Sequence, residues 1–228
     1  MSGALNRIAL LAVTVLVLLG LTVAPPALAT GSTQLYRVAV IGDSYTNGTD
    51  LGGIGQHSWP VLAWTALGRQ GLGVTADVAA EGRAGYGVRG DHGSVFGDLT
   101  LRAVRPDDAL VVFFGSRNDQ GVDQRQLAQL SHDAFATARR IAPNARMLVI
   151  GPPWPTAAVP PAIWQIRDTL KTQALAAGAS FLDPLAARWF VDRPDLIGSD
   201  GVHPTDAGHG YLADKIGPVI AAQLPGRI

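Results

Sequence analysis

The run Tyr36-Arg37-Val38-Ala39-Val40-Ile41, followed at once by Gly42-Asp43-Ser44, decides the fold of this chain. The residues before the glycine are mostly apolar or β-branched, and they stop at Gly42 as a buried strand does where it meets a turn. Ser44 is therefore expected at the carboxyl end of a strand. In an open α/β sheet this edge is where ligands bind, so the position favours chemistry.

Short apolar runs alternate with helix-like stretches along the rest of the chain. This alternation is typical of βαβ units, so we expect an α/β fold with a mostly parallel sheet. Ser58, Asp123 and Asp206 are suitable helix N-caps, and Gly178 is a typical helix end. The expected strands are residues 36–41, 74–79, 109–114, 146–150 and 179–182, and the expected helices are residues 59–67, 124–141 and 163–177, with a last helix that Asp206 caps and that runs toward Leu224.

The first 29 residues have the layout of a cleavable signal peptide. Asn6 and Arg7 precede an uncharged apolar stretch, and Ala27-Leu28-Ala29 supplies the small-residue cleavage pattern. An uncleaved membrane anchor is the alternative, but the apolar stretch is shorter than the roughly 20 residues that a spanning helix needs. We therefore expect a leader over residues 1–29, one domain over residues 30–228, and a secreted or cell-envelope protein without stable membrane insertion.

The composition excludes several classes of function. The formal net charge is zero and the arginines are scattered among acids, so nothing predicts binding to nucleic acid or to an anionic membrane. The chain has no cysteine, which excludes disulfides, thiolate metal sites and a cysteine nucleophile. Its 228 residues, of which 47% are hydrophobic, suffice for one substantial core.

A nucleophile, a base and an orienting carboxylate are available from the two ends of the chain. A serine such as Ser44 is a weak nucleophile until a base removes its proton, and that base is usually a histidine oriented by a carboxylate. Asp200 and His203 are spaced so that a single turn places both side chains on one side of the backbone. The nucleophile elbow of α/β-hydrolases is disfavoured, because it requires Gly-x-Ser-x-Gly and no serine here has glycine at both positions.

Asp206 and His209 repeat the Asp-x-x-His spacing shortly after the first pair. Carboxylate and imidazole suit zinc or manganese, so a metal site is the alternative interpretation of the two pairs. Because Asp206 is better explained as a helix cap, we expect no metal site.

Two stretches are expected to be loops that shape a substrate pocket above the sheet. Residues 82–97 are rich in glycine, and residues 151–155 are rich in proline and contain Trp154. The first stretch lacks the Lys-Ser/Thr ending of a phosphate loop and does not fit a dinucleotide fingerprint, so we expect no nucleotide site.

The ordered set of motifs resembles the GDSL, or SGNH, hydrolase family, in which short sequence blocks each contribute one functional residue. The first block matches at Gly42-Asp43-Ser44, with Tyr45 in place of the usual leucine. The second block, which provides a glycine N–H, is best matched at Gly85, and Gly82 is the weaker choice. The remaining matches are Gly115-Ser116-Arg117-Asn118-Asp119, one residue longer than the usual Gly-x-Asn-Asp, and the pair Asp200 and His203.

The resemblance implies a single-domain, three-layer α/β/α sandwich of the flavodoxin-like kind, with a mostly parallel five-stranded sheet. It also implies a serine hydrolase without a cofactor that cleaves small-molecule, lipid or glycan esters through an acyl-enzyme on Ser44. His203 is then the base, Asp200 orients it, and the oxyanion is bound by the N–H groups of Ser44 and Gly85 and the amide of Asn118. The alternative is a non-catalytic carbohydrate- or lipid-binding protein of the same fold, which the longer third block favours.

Overall fold

Five parallel strands form one sheet in the order β2-β1-β3-β4-β5. The computed structural model describes residues 34–225, so the expected signal peptide lies outside the described residues. The strands are β1 (Gln34–Gly42), β2 (Leu72–Ala80), β3 (Leu110–Phe114), β4 (Arg146–Ile150) and β5 (Ser180–Leu182). The α-helices are α1 (Ser44–Asn47), α2 (Trp59–Arg69), α3 (Phe96–Ala103), α4 (Gln124–Ile141), α5 (Pro161–Ala176) and α6 (Asp206–Gln223).

Successive side chains of β1 point to opposite faces of the sheet and enter two separate cores. Val38 and Val40 belong to a core with residues of α2 and α6, whereas Ala39 and Ile41 belong to a core with residues of α3, α4 and α5. Because both faces are covered, the strand is apolar along its whole buried length rather than alternating. The expected three-layer α/β/α sandwich with a parallel five-stranded sheet is confirmed.

The expected elements are found with small shifts of their bounds, but two helices, the short α1 and α3, were missed. Helix α3 begins at Phe96, at the end of the stretch that we expected to be a loop, and buries Phe96, Leu99 and Ala103. We did not predict this helix because it is short and follows a glycine-rich stretch that is typical of a loop. The expected cap of α6 is also wrong by one residue, because the Thr205 side chain accepts the Gly208 N–H at 3.2 Å and Asp206 is the first helical residue.

The carboxyl ends of the strands lie at one level of the sheet. Gly42, the last residue of β1, pairs with Ala80 and Phe114, which end β2 and β3. Phe114 pairs in turn with Ile150 at the end of β4. The loops that follow these strands therefore leave the sheet side by side. From β1 the chain adds β2 on one side and β3, β4 and β5 on the other, so the strand order reverses between β1 and β3, where ligands bind in folds of this order. Within residues 34–225, no helix is long and apolar enough to cross a bilayer.

Candidate active site

The turn after β1 holds Ser44 at the first position of α1. The Asp43 side chain caps this helix by accepting the Tyr45 N–H at 2.9 Å, and the Asp43 carbonyl accepts the Thr46 N–H at 2.8 Å. A β-carbon at position 42 would lie 2.1 Å from the Thr46 hydroxyl oxygen, so only glycine permits this tight closure. The Gly-Asp-Ser sequence thus has a local structural reason at each position.

Ser44, His203 and Asp200 lie in one hydrogen-bonded row. The Nε2 atom of His203 is 3.0 Å from Ser44 Oγ, and the Nδ1 atom of His203 is 2.6 Å from Asp200 Oδ2. The structure therefore brings together the three residues that the sequence singled out, although 159 positions separate Ser44 from His203. The row has the order that a nucleophile, a base and an orienting carboxylate require.

Asp200 holds both the ring and the backbone of the histidine turn. Its Oδ1 atom accepts the N–H groups of Val202 at 2.8 Å and His203 at 3.0 Å, while Oδ2 faces the ring. Burial raises the pKa of Asp200, but the hydrogen bonds from the His203 ring and from the two N–H groups outweigh that effect and hold the pKa at about 2. Asp200 is therefore ionised at neutral pH and can stabilise a protonated His203.

An open, polar cleft of about 310 Å³ lies over Ser44 and His203. Arg83 and Asp91, which form an ion pair on its wall, come from the glycine-rich loop that follows β2. Arg83 has a left-handed backbone with a φ of 65°, a conformation that is costly for a residue other than glycine and that clusters at functional sites. The other lining residues are Asn47, Gly48, Thr49, Asp50, Gly82 and His92.

The donors expected for an oxyanion differ in availability, and neither Gly85 nor Asn118 is among the residues that line the cleft. The Ser44 N–H forms no hydrogen bond with any residue that the structure describes. The Gly85 N–H donates to the Val88 carbonyl at 2.9 Å, and the Asn118 amide nitrogen donates to Asp43 Oδ2 at 3.2 Å and to the Ala84 carbonyl at 2.9 Å. Gly85 and Asn118 would have to exchange these partners for a substrate oxygen, so their role in the oxyanion hole stays a prediction.

Asp119 organises the second block, a role that sequence reasoning did not assign. Its carboxylate accepts the N–H groups of Tyr86 and Gly87, each at 2.8 Å, and that of Val88 at 3.1 Å. The Ser116 hydroxyl also donates to it. Burial raises the pKa of Asp119, and these hydrogen bonds partly oppose the rise. The only hint in the sequence was the Asn-Asp pair of the third block itself.

Asp43 is a buried carboxyl group directly before Ser44. Burial raises its pKa to about 7, although the Tyr45 N–H and the nearby charge of Arg117 both favour the ionised form. The hydrogen bond from Asn118 links this carboxyl group to the third block. Asp43 therefore connects the loops that follow β1 and β3.

The second Asp-x-x-His pair anchors a loop instead of facing the cleft. Asp206 accepts the Gly53 N–H at 2.8 Å, and His209 Nδ1 accepts the Trp59 N–H at 3.3 Å. His209 is fully buried, which lowers its pKa to about 4. Among residues 34–225, no three His, Asp, Glu or Cys side chains are grouped as a metal site would need.

A second open cavity of about 310 Å³, mostly apolar but lined also by Thr156, Asp192 and Arg193, borders the histidine turn next to the loops that follow β4 and β5. Phe190 and Asp192 on its wall have left-handed backbones, with φ of 66° and 62°. Gly198 and Gly201 of the histidine turn complete the wall, together with Pro155, Pro194 and Ile197. Both stretches that we expected to be pocket loops thus contribute, residues 82–97 to the polar cleft and Pro155 to the apolar cavity.

The sequence of this chain is similar to that of known proteins. The GDSL-like lipase/acylhydrolase family matches the chain over residues 40–211. The GDSL lipase Rv0518 of Mycobacterium tuberculosis is 64% identical over 196 residues, which are 85% of this chain and 85% of that lipase.

Solved structures share the fold. TesA superposes with a TM-score of 0.69 at 20% identity, over 82% of this chain and 99% of its own. A family two carbohydrate esterase from Clostridium thermocellum, solved in complex with cellohexaose, has a TM-score of 0.65 at 16% identity, over 82% of this chain and 64% of its own. With the family match and the identity to a lipase, this chain belongs to the GDSL-like lipase/acylhydrolase family and is a carboxylic ester hydrolase.

Proposed function

We propose that this chain is an exported serine hydrolase that cleaves carboxylic esters through an acyl-enzyme on Ser44. The observation that carries the proposal is the row formed by Ser44 Oγ, the His203 ring and Asp200, with distances of 3.0 and 2.6 Å. The row lies at the carboxyl edge of the sheet and opens into a cleft. This arrangement can generate a nucleophile where an ester can reach it.

In the proposed reaction, His203 takes the Ser44 proton as the serine oxygen attacks the ester carbonyl carbon. The tetrahedral intermediate then collapses, the bond to the alcohol oxygen breaks, and the proton passes from His203 to the leaving alcohol. A water molecule, deprotonated in turn by His203, hydrolyses the acyl-enzyme and releases the carboxylic acid. Asp200 stays ionised throughout, because its pKa of about 2 lies far below neutral pH.

The oxyanion that forms on the carbonyl oxygen would be stabilised by N–H donors near Ser44. The Ser44 N–H is open for this role in the described part of the chain. We assign the other two donors to the Gly85 N–H and the Asn118 amide. Since hydrogen bonds at catalytic sites often tighten or exchange only when substrate binds, their present partners are compatible with this assignment.

We infer that the substrate is an ester with an apolar chain. Two different spaces border the histidine turn, a polar cleft over Ser44 and an apolar cavity walled by Phe190 and Ile197. Apolar walls of this volume suit a hydrocarbon chain better than an acetylated polysaccharide, whose hydroxyl groups would lose their hydrogen bonds there. The similarity to a lipase supports the same choice.

Export is proposed from the sequence of residues 1–29, whose layout is that of a cleavable leader. Cleavage after Ala29 would release a chain that begins at Thr30. Sequencing the amino terminus of the protein recovered from outside the cytoplasm tests both points at once. Recovery of an uncleaved chain from the membrane fraction would favour an anchor instead.

The decisive experiment measures hydrolysis of p-nitrophenyl esters, from acetate to palmitate, by the chain from Thr30 onward and by its Ser44→Ala variant. Labelling with a fluorophosphonate probe accompanies it, because an inert serine is not acylated. We expect turnover and labelling in the parent chain and neither in the variant. A folded parent chain that is neither active nor labelled would favour a non-catalytic carbohydrate- or lipid-binding protein.

A further inference from the structure

Tyr45 and Arg117 lie in two of the sequence blocks in which this chain departs from the family pattern, and Arg117 is a neighbour of the Tyr45 hydroxyl. Tyr45 takes the position of the usual leucine after the nucleophile, and Arg117 lies in the lengthened third block. Burial raises the pKa of the Tyr45 hydroxyl to about 12, and the neighbouring charge of Arg117 partly offsets that effect. The hydroxyl therefore keeps its proton and can donate it in a hydrogen bond.

The Tyr45 hydroxyl donates to the carbonyl of Val202. The N–H of the same peptide unit, that of His203, donates to Asp200 Oδ1 at 3.0 Å. Both polar groups of the peptide that carries His203 are thus fixed, the carbonyl by Tyr45 and the N–H by Asp200. A peptide unit held at both ends cannot rotate without breaking a hydrogen bond, so the His203 ring is aimed by its backbone as well as by its own contact with Asp200.

The ring of Tyr45 is itself held in place. Only 1% of Tyr45 is exposed, and its ring packs edge to face against Phe114 and Phe190 at centroid distances of 6.2 and 6.3 Å. These contacts involve the ring and not the hydroxyl. Replacement by phenylalanine therefore removes the hydrogen bond to Val202 while leaving the packing in place.

Arg117 is an unusual neighbour for such a tyrosine. Its guanidinium carbon lies 4.6 Å from the centroid of the Trp154 ring, and its Nη1 atom is buried with no hydrogen-bond acceptor among residues 34–225. An unpaired donor in such a place is costly and calls for a reason. Trp154 packs against the guanidinium, and both the charge of Arg117 and a side-chain hydrogen bond from it lower the pKa of Tyr45 against the effect of burial. A cation beside a hydroxyl group attracts its oxygen, which favours an orientation in which the proton points away from the cation.

We propose that Tyr45 and Arg117 are a positioning pair, in which Arg117 orients the Tyr45 hydroxyl and the hydroxyl fixes the Val202–His203 peptide so that His203 stays aligned on Ser44. The inference rests on the proposed serine mechanism. It assigns two of the departures from the family pattern to one joint task, the alignment of the base.

The primary test compares Tyr45→Phe with Tyr36→Phe in the chain from Thr30 onward. Tyr36 is a matched control, because it is 5% exposed and its hydroxyl also donates to a backbone carbonyl, that of Pro225 at 2.7 Å. We expect Tyr45→Phe to lower kcat for p-nitrophenyl butyrate about 10-fold with KM within about twofold, since one lost hydrogen bond is of that size. Tyr36→Phe should keep the kcat of the parent chain while losing a similar amount of thermal stability.

The second test is a double-mutant cycle with Arg117→Met, which keeps the length of the side chain and removes its charge. If Arg117 acts through the Tyr45 hydroxyl, Arg117→Met lowers kcat in the parent chain. In the Tyr45→Phe variant, the same substitution lowers kcat by less than about a further twofold. Additive losses in the double variant would overturn the coupling. If Tyr45→Phe does not fold, Arg117→Met tests the proposal instead: a lower kcat with KM within about twofold supports the positioning pair, and an unchanged kcat rejects it.

The failure of this inference is distinguishable from the failure of the proposed function. An unchanged kcat in Tyr45→Phe, or an equal loss in Tyr36→Phe, rejects the positioning pair while Ser44→Ala remains inactive. Turnover that persists in Ser44→Ala rejects the serine mechanism itself. A downfield proton resonance from the hydrogen bond between His203 and Asp200 gives an independent readout, which we expect to shift or broaden in Tyr45→Phe and to persist in Tyr36→Phe.

Discussion

The carboxylate of Asp119 fills the space beside the α-carbon of Gly85, where a β-carbon would lie 2.5 Å from Asp119 Oδ1. The Asp119 carboxylate accepts hydrogen bonds from the N–H groups of Tyr86 and Gly87, each at 2.8 Å, and alanine at position 85 would push the carboxylate away from them. We therefore expect Gly85→Ala to lower the free energy of unfolding by about 1–3 kcal/mol, as overpacking does. Urea unfolding measures this change.

Gly97 provides the matched control for this glycine. It lies in helix α3, and a β-carbon there would meet no heavy atom within 4 Å. Gly97→Ala is expected to raise the free energy of unfolding by up to about 1 kcal/mol, because alanine favours a helix more than glycine does. Equal losses in both variants would show that the contact with Asp119 is not the cause.

Asn118 is expected to matter for turnover as well as for structure. If its amide binds the oxyanion, Asn118→Ala lowers kcat by about 100- to 1,000-fold, the usual cost of removing one such donor. The same variant also loses the hydrogen bonds to Asp43 and Ala84, so some loss of stability is expected beside it. Steady-state kinetics with p-nitrophenyl butyrate, below the unfolding temperature of the variant, separates the two effects.

Gln129→Ala is the control for this experiment, because Gln129 is exposed on helix α4 and, among residues 34–225, its side-chain amide bonds only to Asp133. It should keep the activity of the parent chain. Full turnover in Asn118→Ala would remove Asn118 from the oxyanion hole. The N–H groups of Gly82 and Arg83, which line the cleft and have no acceptor in the described residues, would then be the next candidates.

The sequence was sufficient for the sheet and for the hydrogen-bonded row of Ser44, His203 and Asp200. The apolar residues of β1 stop at Gly42, and the three residues Ser44, Asp200 and His203 each stand in a short local pattern. Because parallel strands end at one edge, local patterns that follow strands are brought together by the fold itself. For these residues, the sequence spacing and the strand topology together determine where the side chains lie.

The details of the oxyanion donors and of Tyr45 could not be predicted in the same way. The partners of Asn118, the Asp43 carboxyl group and the Ala84 carbonyl, lie 75 and 34 positions away along the chain. The hydrogen bond from Tyr45 to Val202 spans 157 positions. Such contacts depend on the packing of loops after the strands have aligned, and no periodicity in the sequence encodes them.

Asp43 predicts a pH dependence of stability with a definite sign. Its pKa is about 7 in the folded chain and about 3.9 when unfolded, so between these values the folded state holds a proton that the unfolded state has lost. The contribution of Asp43 to the free energy of unfolding therefore falls as pH rises from about 4 to about 7, and is constant above that. Asp43→Asn removes this titration.

The difference in unfolding free energy between the parent chain and Asp43→Asn isolates this effect. Other groups that titrate in the same window cancel in the difference, among them His209, whose pKa is lowered to about 4. We expect the parent chain to lose stability relative to the variant from pH 4.5 to pH 7 and the difference to stay level at higher pH. A difference that is flat across the window would mean that Asp43 is ionised in the folded chain.

The apolar cavity beside the histidine turn predicts how the chain selects esters by length. Ile197 lines this cavity and not the neighbouring one, which Ala186 lines instead. Ile197→Phe should narrow the cavity and reduce kcat/KM for p-nitrophenyl octanoate relative to acetate by at least about 10-fold, because each buried CH₂ is worth about 0.8 kcal/mol. Ala186→Phe, which introduces the same aromatic side chain at the second cavity, should leave the ratio unchanged.

A parallel series of alkyl acetates then tells which side of the ester the cavity receives. If Ile197→Phe discriminates among acyl chains but not among alkyl alcohols, the cavity holds the acyl chain of the acyl-enzyme; the reverse result assigns it to the leaving alcohol. Loss of acetate turnover by the same factor as octanoate turnover would mean that the substitution disturbs the histidine turn, since Gly198 and Gly201 share that wall. Only a change confined to the longer chains supports an ester with an apolar chain as the substrate.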